Sequence, residues 1–216
     1  MSRIPLLFAL ALFLSLNSFV FAQSEEEDFM RAFNSFESSL NGNKKKTSNA
    51  IDQFEALVKQ HPDNPLYLAY LGSAHTLKAR DAWMPWTRLR YVERGLDEID
   101  QSLSMLNETH DTVFIRNSIL SIETRLVAIN TFSQVPRFLN RLDMAADVSQ
   151  QTFTLDAYNS APKIVQGRLH LVAAEIAEKQ ENVEKQAEHL NQAISLLPES
   201  VYLTRAQKTL ANLRQH

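Results

Sequence analysis

At 216 residues the chain has room for one sizeable domain or a short repeat array. A formal net charge of −3 and a pI near 6.1 leave no basic surplus to neutralise phosphates, which sets the chain against nucleic acid as a partner. Zero cysteine removes thiol catalysis, disulfides and a cysteine-borne lipid anchor, so the fold must be stabilised by its core alone.

The N-terminus reads differently from the rest. Arg3 gives a short positive start, Leu6 to Leu16 is almost unbroken apolar sequence, and Val20, Phe21 and Ala22 precede Gln23. This is the layout of a secretory signal peptide cleaved after Ala22, with residues 23–216 as a single mature domain. The rival reading is an uncleaved anchor, because Leu6 to Ala22 gives 17 residues, at the lower limit for a membrane span. Export without cysteine fits a bacterial periplasm.

Beyond the leader, Glu25, Glu26, Glu27 and Asp28 open the first helix, where the helix dipole favours negative charge. Lys44 to Lys46 reads as an exposed basic loop. Apolar residues then recur in steps of four and three: Phe29, Phe33, Phe36, Leu40; Val92, Leu96, Ile99, Leu103, Leu106; Ile115, Ile119, Ile122, Leu126, Ile129; and Val183, Ala187, Leu190, Ile194, Leu197. Each set draws one stripe along a helix. Proline supplies the punctuation: Pro62 and Pro198 follow periodic runs, while Asn64-Pro65 is an N-cap followed by proline at the first helical position. The pattern predicts helices at about 25–40, 48–60, 65–81, 86–106, 112–129, 135–154, 162–180, 182–197 and 200–214. Only four glycines, with Asn41-Gly42 as the one hairpin-type dipeptide, leave a sheet without turns. The fold class is all-α.

The run Ala50 to Leu57, through His61-Pro62-Asp63-Asn64-Pro65 to Leu71-Gly72, resembles a tetratricopeptide repeat. Ala50, Phe54, Pro62, Leu71 and Gly72 occupy that family's small, large, helix-ending and Leu-Gly places. A second match runs from Gly167 to Pro198, with Ala174, Ala177, Leu190 and Ala193 in place and Gln186 departing from the usual alanine. Small residues let paired helices nest, and large ones fill the gap to the next pair. A strict 34-residue period fails in the middle. The apolar centres Phe54, Ile99, Leu142 and Leu190 are instead 45, 43 and 48 residues apart. The resemblance implies a right-handed α-solenoid of about four antiparallel helix hairpins, capped by a C-terminal helix from about Ser200 to Arg214. It also implies protein binding. The family's carboxylate clamp is absent, since its places hold Ala69, Ser73, Leu171 and Glu175.

No catalytic constellation is present. Gly42, Gly72, Gly95 and Gly167 are too far apart to cradle a phosphate, and there is no G-x-S-x-G elbow. His61, His75, His110, His170, His189 and His216 are scattered, so neither a metal nor a cofactor is expected. The segment Arg80 to Tyr91 stands out, holding both tryptophans, Met84 and three arginines. Two readings stay open: the tryptophans fill the gap between longer helices, or Arg80, Trp83, Trp86, Arg88, Arg90 and Tyr91 form a partner-binding site, since Trp, Tyr and Arg dominate interfaces. Val135 to Arg141 is a weaker candidate. The expected function is that of a non-catalytic periplasmic adaptor for a protein or peptide. The alternative is an accessory subunit of an inner-membrane complex, held by an uncleaved N-terminus. Membrane contact is expected only there or through the Trp segment.

Overall fold

A computed structural model describes residues 24–115 and 117–213, and 81% of this part is helical. The expected signal peptide, residues 1–22, lies outside the described residues. The chain divides at Pro62 into two compact units.

The first unit is a helix pair, α1 (residues 24–40) and α2 (Lys44–Gln60). Phe29 and Phe36 of α1 meet the buried Phe54 of α2 edge-on, with ring centroids 6.3 and 6.5 Å apart. Ala32 and Ala50 are buried with them, and a hydrogen bond of 2.6 Å joins the Ser39 and Thr47 hydroxyls. Leu40, expected on the buried stripe, is exposed instead. Lys44 to Lys46 is not a loop: it forms the first turn of α2, because the Asn43 side chain accepts from the Lys46 amide and caps the helix there.

The second unit carries α3 (Pro65–Asp81), α4 (Pro85–Ser104), α5 (Leu120–Gln134), α6 (Leu142–Phe153), the short α7 (Asp156–Ser160), α8 (Lys163–Lys179), α9 (Val183–Leu196) and α10 (Val201–Leu213). Neighbours pack in sequence: α3 on α4, α5 on α6, α8 on α9, and α10 on α9. α5 also touches α3 and α8. The helices α3, α5 and α8 are buried on nearly every side, whereas α4, α6, α9 and α10 bury one stripe each. Leu96, Ile99, Ile122, Leu126, Ile129, Phe132 and Leu169 form one core cluster. Leu171, Leu190, Ala193, Leu197, Ala206 and Leu210 form another, closed by α10.

Glycine decides the closest approach. A Cβ on Gly72 would stand 2.5 Å from the Gly95 carbonyl oxygen, and one on Gly95 would collide with the Gly72 carbonyl. Only glycine at both places lets α3 and α4 cross this closely. The middle of the chain departs from expectation. Residues 112–115 and 117–119 are not helical: a 3-10 turn (Glu108–Asp111) leads into two-residue strands, β1 (Phe114–Ile115) and β2 (Ser118–Ile119), paired antiparallel. Asn117 takes the positive φ of 59° that turns this hairpin. Ile115 and Ile119 therefore do not belong to the helical stripe. The expected helix 135–154 is likewise divided. A 3-10 turn (Arg137–Leu139) and Asn140 at φ 53° precede α6, so Leu142 opens a helix rather than centring one.

Candidate functional site

The sequence-marked segment sits where α3 passes into α4. Trp83 is 86% exposed, Trp86 68%, and Met84 and Leu89 43% each. The tryptophans therefore do not fill an inter-helix gap, and the packing reading is wrong. α4 buries no residue fully before Gly95, so the side chains of its first two turns lie exposed or half-buried. Pro85 at the first position, with its fixed φ, starts the helix there without a side-chain cap. The Arg88 Nε donates to the Ala82 carbonyl at 2.6 Å, pinning the corner. Arg80 pairs with Asp81 at 3.1 Å, and Arg90 is exposed. Tyr91 is half-buried, and its ring stacks on His75, centroids 6.1 Å apart. His75 is itself buried and lies 2.6 Å from the Glu98 carboxylate, which Arg94 also holds at 3.0 Å.

A second constellation was not foreseen. Four helices each give one side chain to a connected polar row. The Tyr70 hydroxyl (α3) donates to Glu123 (α5) at 3.3 Å, and Arg168 (α8) stands 3.6 Å from the same carboxylate. The Arg168 guanidinium lies 5.6 Å from the ring centroid of Tyr202 (α10). Burial alone would lower the Arg168 pKa, but Glu123, with Tyr202 and Tyr70, outweighs it and the value rises. Beside this row the Thr131 hydroxyl donates to the Ser73 hydroxyl at 3.0 Å, and Arg205 pairs with Glu175 at 2.6 Å. Gln134 donates to Glu175 at 3.4 Å. Burial raises the Glu175 pKa, with Arg205 and Lys179 opposing it. Arg205 and Gln134 are exposed and Arg168 is partly so, leaving this line of charge open to solvent.

The Val135 to Arg141 segment divides between tethers and surface. Arg137 donates to the Lys179 carbonyl at 2.7 Å, Lys179 donates to the Ser133 carbonyl, and Arg141 clasps Asp100 at 2.8 and 3.0 Å. Phe138 is exposed.

A third group joins α6, α7, α8 and α9. The Nδ1 atoms of His170 and His189 are 3.0 Å apart, the Tyr158 hydroxyl is 3.0 Å from the His170 Nε2, and the Phe153 ring stacks on both imidazoles. Burial, then the neighbouring His189, pushes the His170 pKa down to about 4. Burial lowers that of His189 as well. Two imidazoles do not make a metal centre, and among the described residues no group of three or more His, Asp or Glu could hold an ion.

The chain matches no protein-family model, and no curated protein or solved structure is significantly similar to it. The tetratricopeptide resemblance therefore rests on its own residues and on the packing of neighbouring helices. None of the described helices is long and apolar enough to cross a membrane.

Proposed function

We propose that the protein is a non-catalytic adaptor that holds a protein or peptide partner on its helical-repeat surface. In this reading the helix pairs are tetratricopeptide-like hairpins of a right-handed α-solenoid, capped by α10. The chain is exported to the periplasm after cleavage behind Ala22. The row Tyr70, Glu123, Arg168, Tyr202 carries the reading: the buried Tyr70 and Glu123 hold Arg168 from beneath, and the partly exposed Arg168 and Tyr202 continue into the exposed Arg205 and Gln134, a polar face drawn from several helices as in stacked hairpins. An extended peptide laid across that face meets Arg168 and Arg205 as donors and Glu175 and Gln134 as acceptors. The corner of Arg80, Trp83, Trp86, Arg88, Arg90 and Tyr91 is the adaptor's second contact.

Photo-crosslinking residues placed at Gln134 and Arg205 test the first surface. They should trap one discrete partner in the periplasm, while the same probe at Glu188 on α9 should trap none. Equal trapping at all three positions would dissolve the claim of a defined face.

A further inference from the structure

The second contact has a chemistry of its own, and its assignment rests on reading the corner as a contact rather than as packing. From Lys78 to Arg90 the chain carries Lys78, Arg80, Arg88 and Arg90 against Asp81 alone, a surplus of three positive charges in a chain of net charge −3. The same stretch holds every tryptophan of the protein. It lies ahead of Gly95, the first buried residue of α4, and Trp83 and Trp86 stand mostly in solvent, with Met84 and Leu89 partly so.

We propose that this exposed corner docks on the surface of an anionic lipid bilayer. A peptide anchor needs a cleft to enter, and a protein contact of this kind buries its aromatics in a pocket of the partner. A headgroup layer needs neither. It accepts an indole at any lateral position, with the ring among the upper chains and its N–H toward water. The arginines lie within the same two turns, at the depth of the lipid phosphates when the indoles are inserted. Charge also sets the orientation: the remainder of the chain is acidic and is repelled by an anionic surface, so the corner is the part that approaches. Docking there leaves the row on α5, α8 and α10 as a separate surface for a protein partner.

The two tryptophans make the test local, because all indole emission of the chain comes from this corner. The full-length protein is titrated with vesicles of phosphatidylcholine alone and with vesicles that also contain phosphatidylglycerol. A blue shift of emission and co-flotation are expected with the anionic vesicles only, reduced by raised salt. R88Q/R90Q should need more than about tenfold more anionic lipid for the same shift, since each basic residue near the surface contributes on the order of fivefold. Its melting temperature should fall by only about 2–4 °C, since Arg88 gives up one exposed hydrogen bond to the Ala82 carbonyl. W83S/W86S should lose anionic flotation. Emission that stays at its aqueous position with anionic lipid would overturn the proposal. So would an equal shift in neutral vesicles, which would show the indoles inserting by apolar contact alone, with no part for the basic side chains. A shift produced by the partner trapped at Gln134 or Arg205, with none produced by lipid, would assign the corner to protein and overturn it too. None of these outcomes bears on the crosslinking at the row.

Discussion

His170 and His189 face each other through their Nδ1 atoms at 3.0 Å, so one hydrogen lies between two rings and a second has no place. Phe153 covers both imidazoles and Tyr158 occupies the far nitrogen of His170, which keeps water from relieving the pair. Glu188 favours charge on His189, while Lys185 opposes it. In the unfolded chain both rings titrate near 6.5, whereas His170 in the fold titrates near 4. Between those values the unfolded state binds more protons, so stability falls as the pH drops through that window. Glu175, whose pKa is raised, acts in the opposite sense, and a difference between two proteins is needed to separate them. Wild type should melt above His170→Gln at pH 7.5, and the gap should narrow steadily toward pH 4.5. A gap that stays constant with pH would show that His170 does not titrate in this way. A histidine Cε1 proton titrating near 4 by NMR is the direct check.

The crossing of α3 and α4 shows what one element requires of another. Alanine is a better helix former than glycine by about 1 kcal/mol, so Gly72→Ala or Gly95→Ala in an exposed helix would stabilise. Here each new methyl meets a backbone carbonyl, which has no rotamer to yield. Overpacking of this kind costs about 1–3 kcal/mol, and a net loss is expected for either variant in urea denaturation. A gain would mean the helices stand further apart than described. The Leu71-Gly72 pair was legible in the sequence because its role is local to a known hairpin pattern, but its partner Gly95 was not. Helix starts were legible at Pro65 and Pro85, but the Asn43 cap of α2 was missed and Pro136 was read as the start of a helix that begins only at Leu142. They were misread at 112–119 and 135–141, where the stripe ran on through residues that Asn117 and Asn140, both at positive φ, turn out of the helix. Positive φ at asparagine leaves little compositional trace. The Trp corner was visible as composition, though only the fold shows its indoles exposed. The polar row was hidden because Tyr70, Glu123, Arg168 and Tyr202 are far apart in sequence. Its one local signal was Glu123, a carboxylate inside a helix buried on nearly every side.

At the scale of the whole molecule, stability should be distributed over helix pairs. A stack of hairpins has contacts mainly between neighbours, and its stability approaches a sum of pair terms and next-neighbour terms. Phe54 and Leu190 sit in different compact units and in different apolar clusters. Phe54 packs with Phe29 and Phe36, and Leu190 with Leu171, Ala193, Leu197 and Leu210. Both side chains are almost fully buried, so Phe54→Ala and Leu190→Ala should each cost about 2–5 kcal/mol through lost transfer energy and the cavity left behind. Because the two sit in different clusters and different compact units, the double variant should lose the sum of the single losses to within about 0.5 kcal/mol. Chemical denaturation of the four proteins, followed by far-ultraviolet circular dichroism, measures this. The helical signal should also unfold in a broader transition in Phe54→Ala than in wild type, as the first helix pair melts ahead of the rest. A coupling above about 1 kcal/mol, or a single sharp transition in both variants, would show one cooperative core in place of additive pairs.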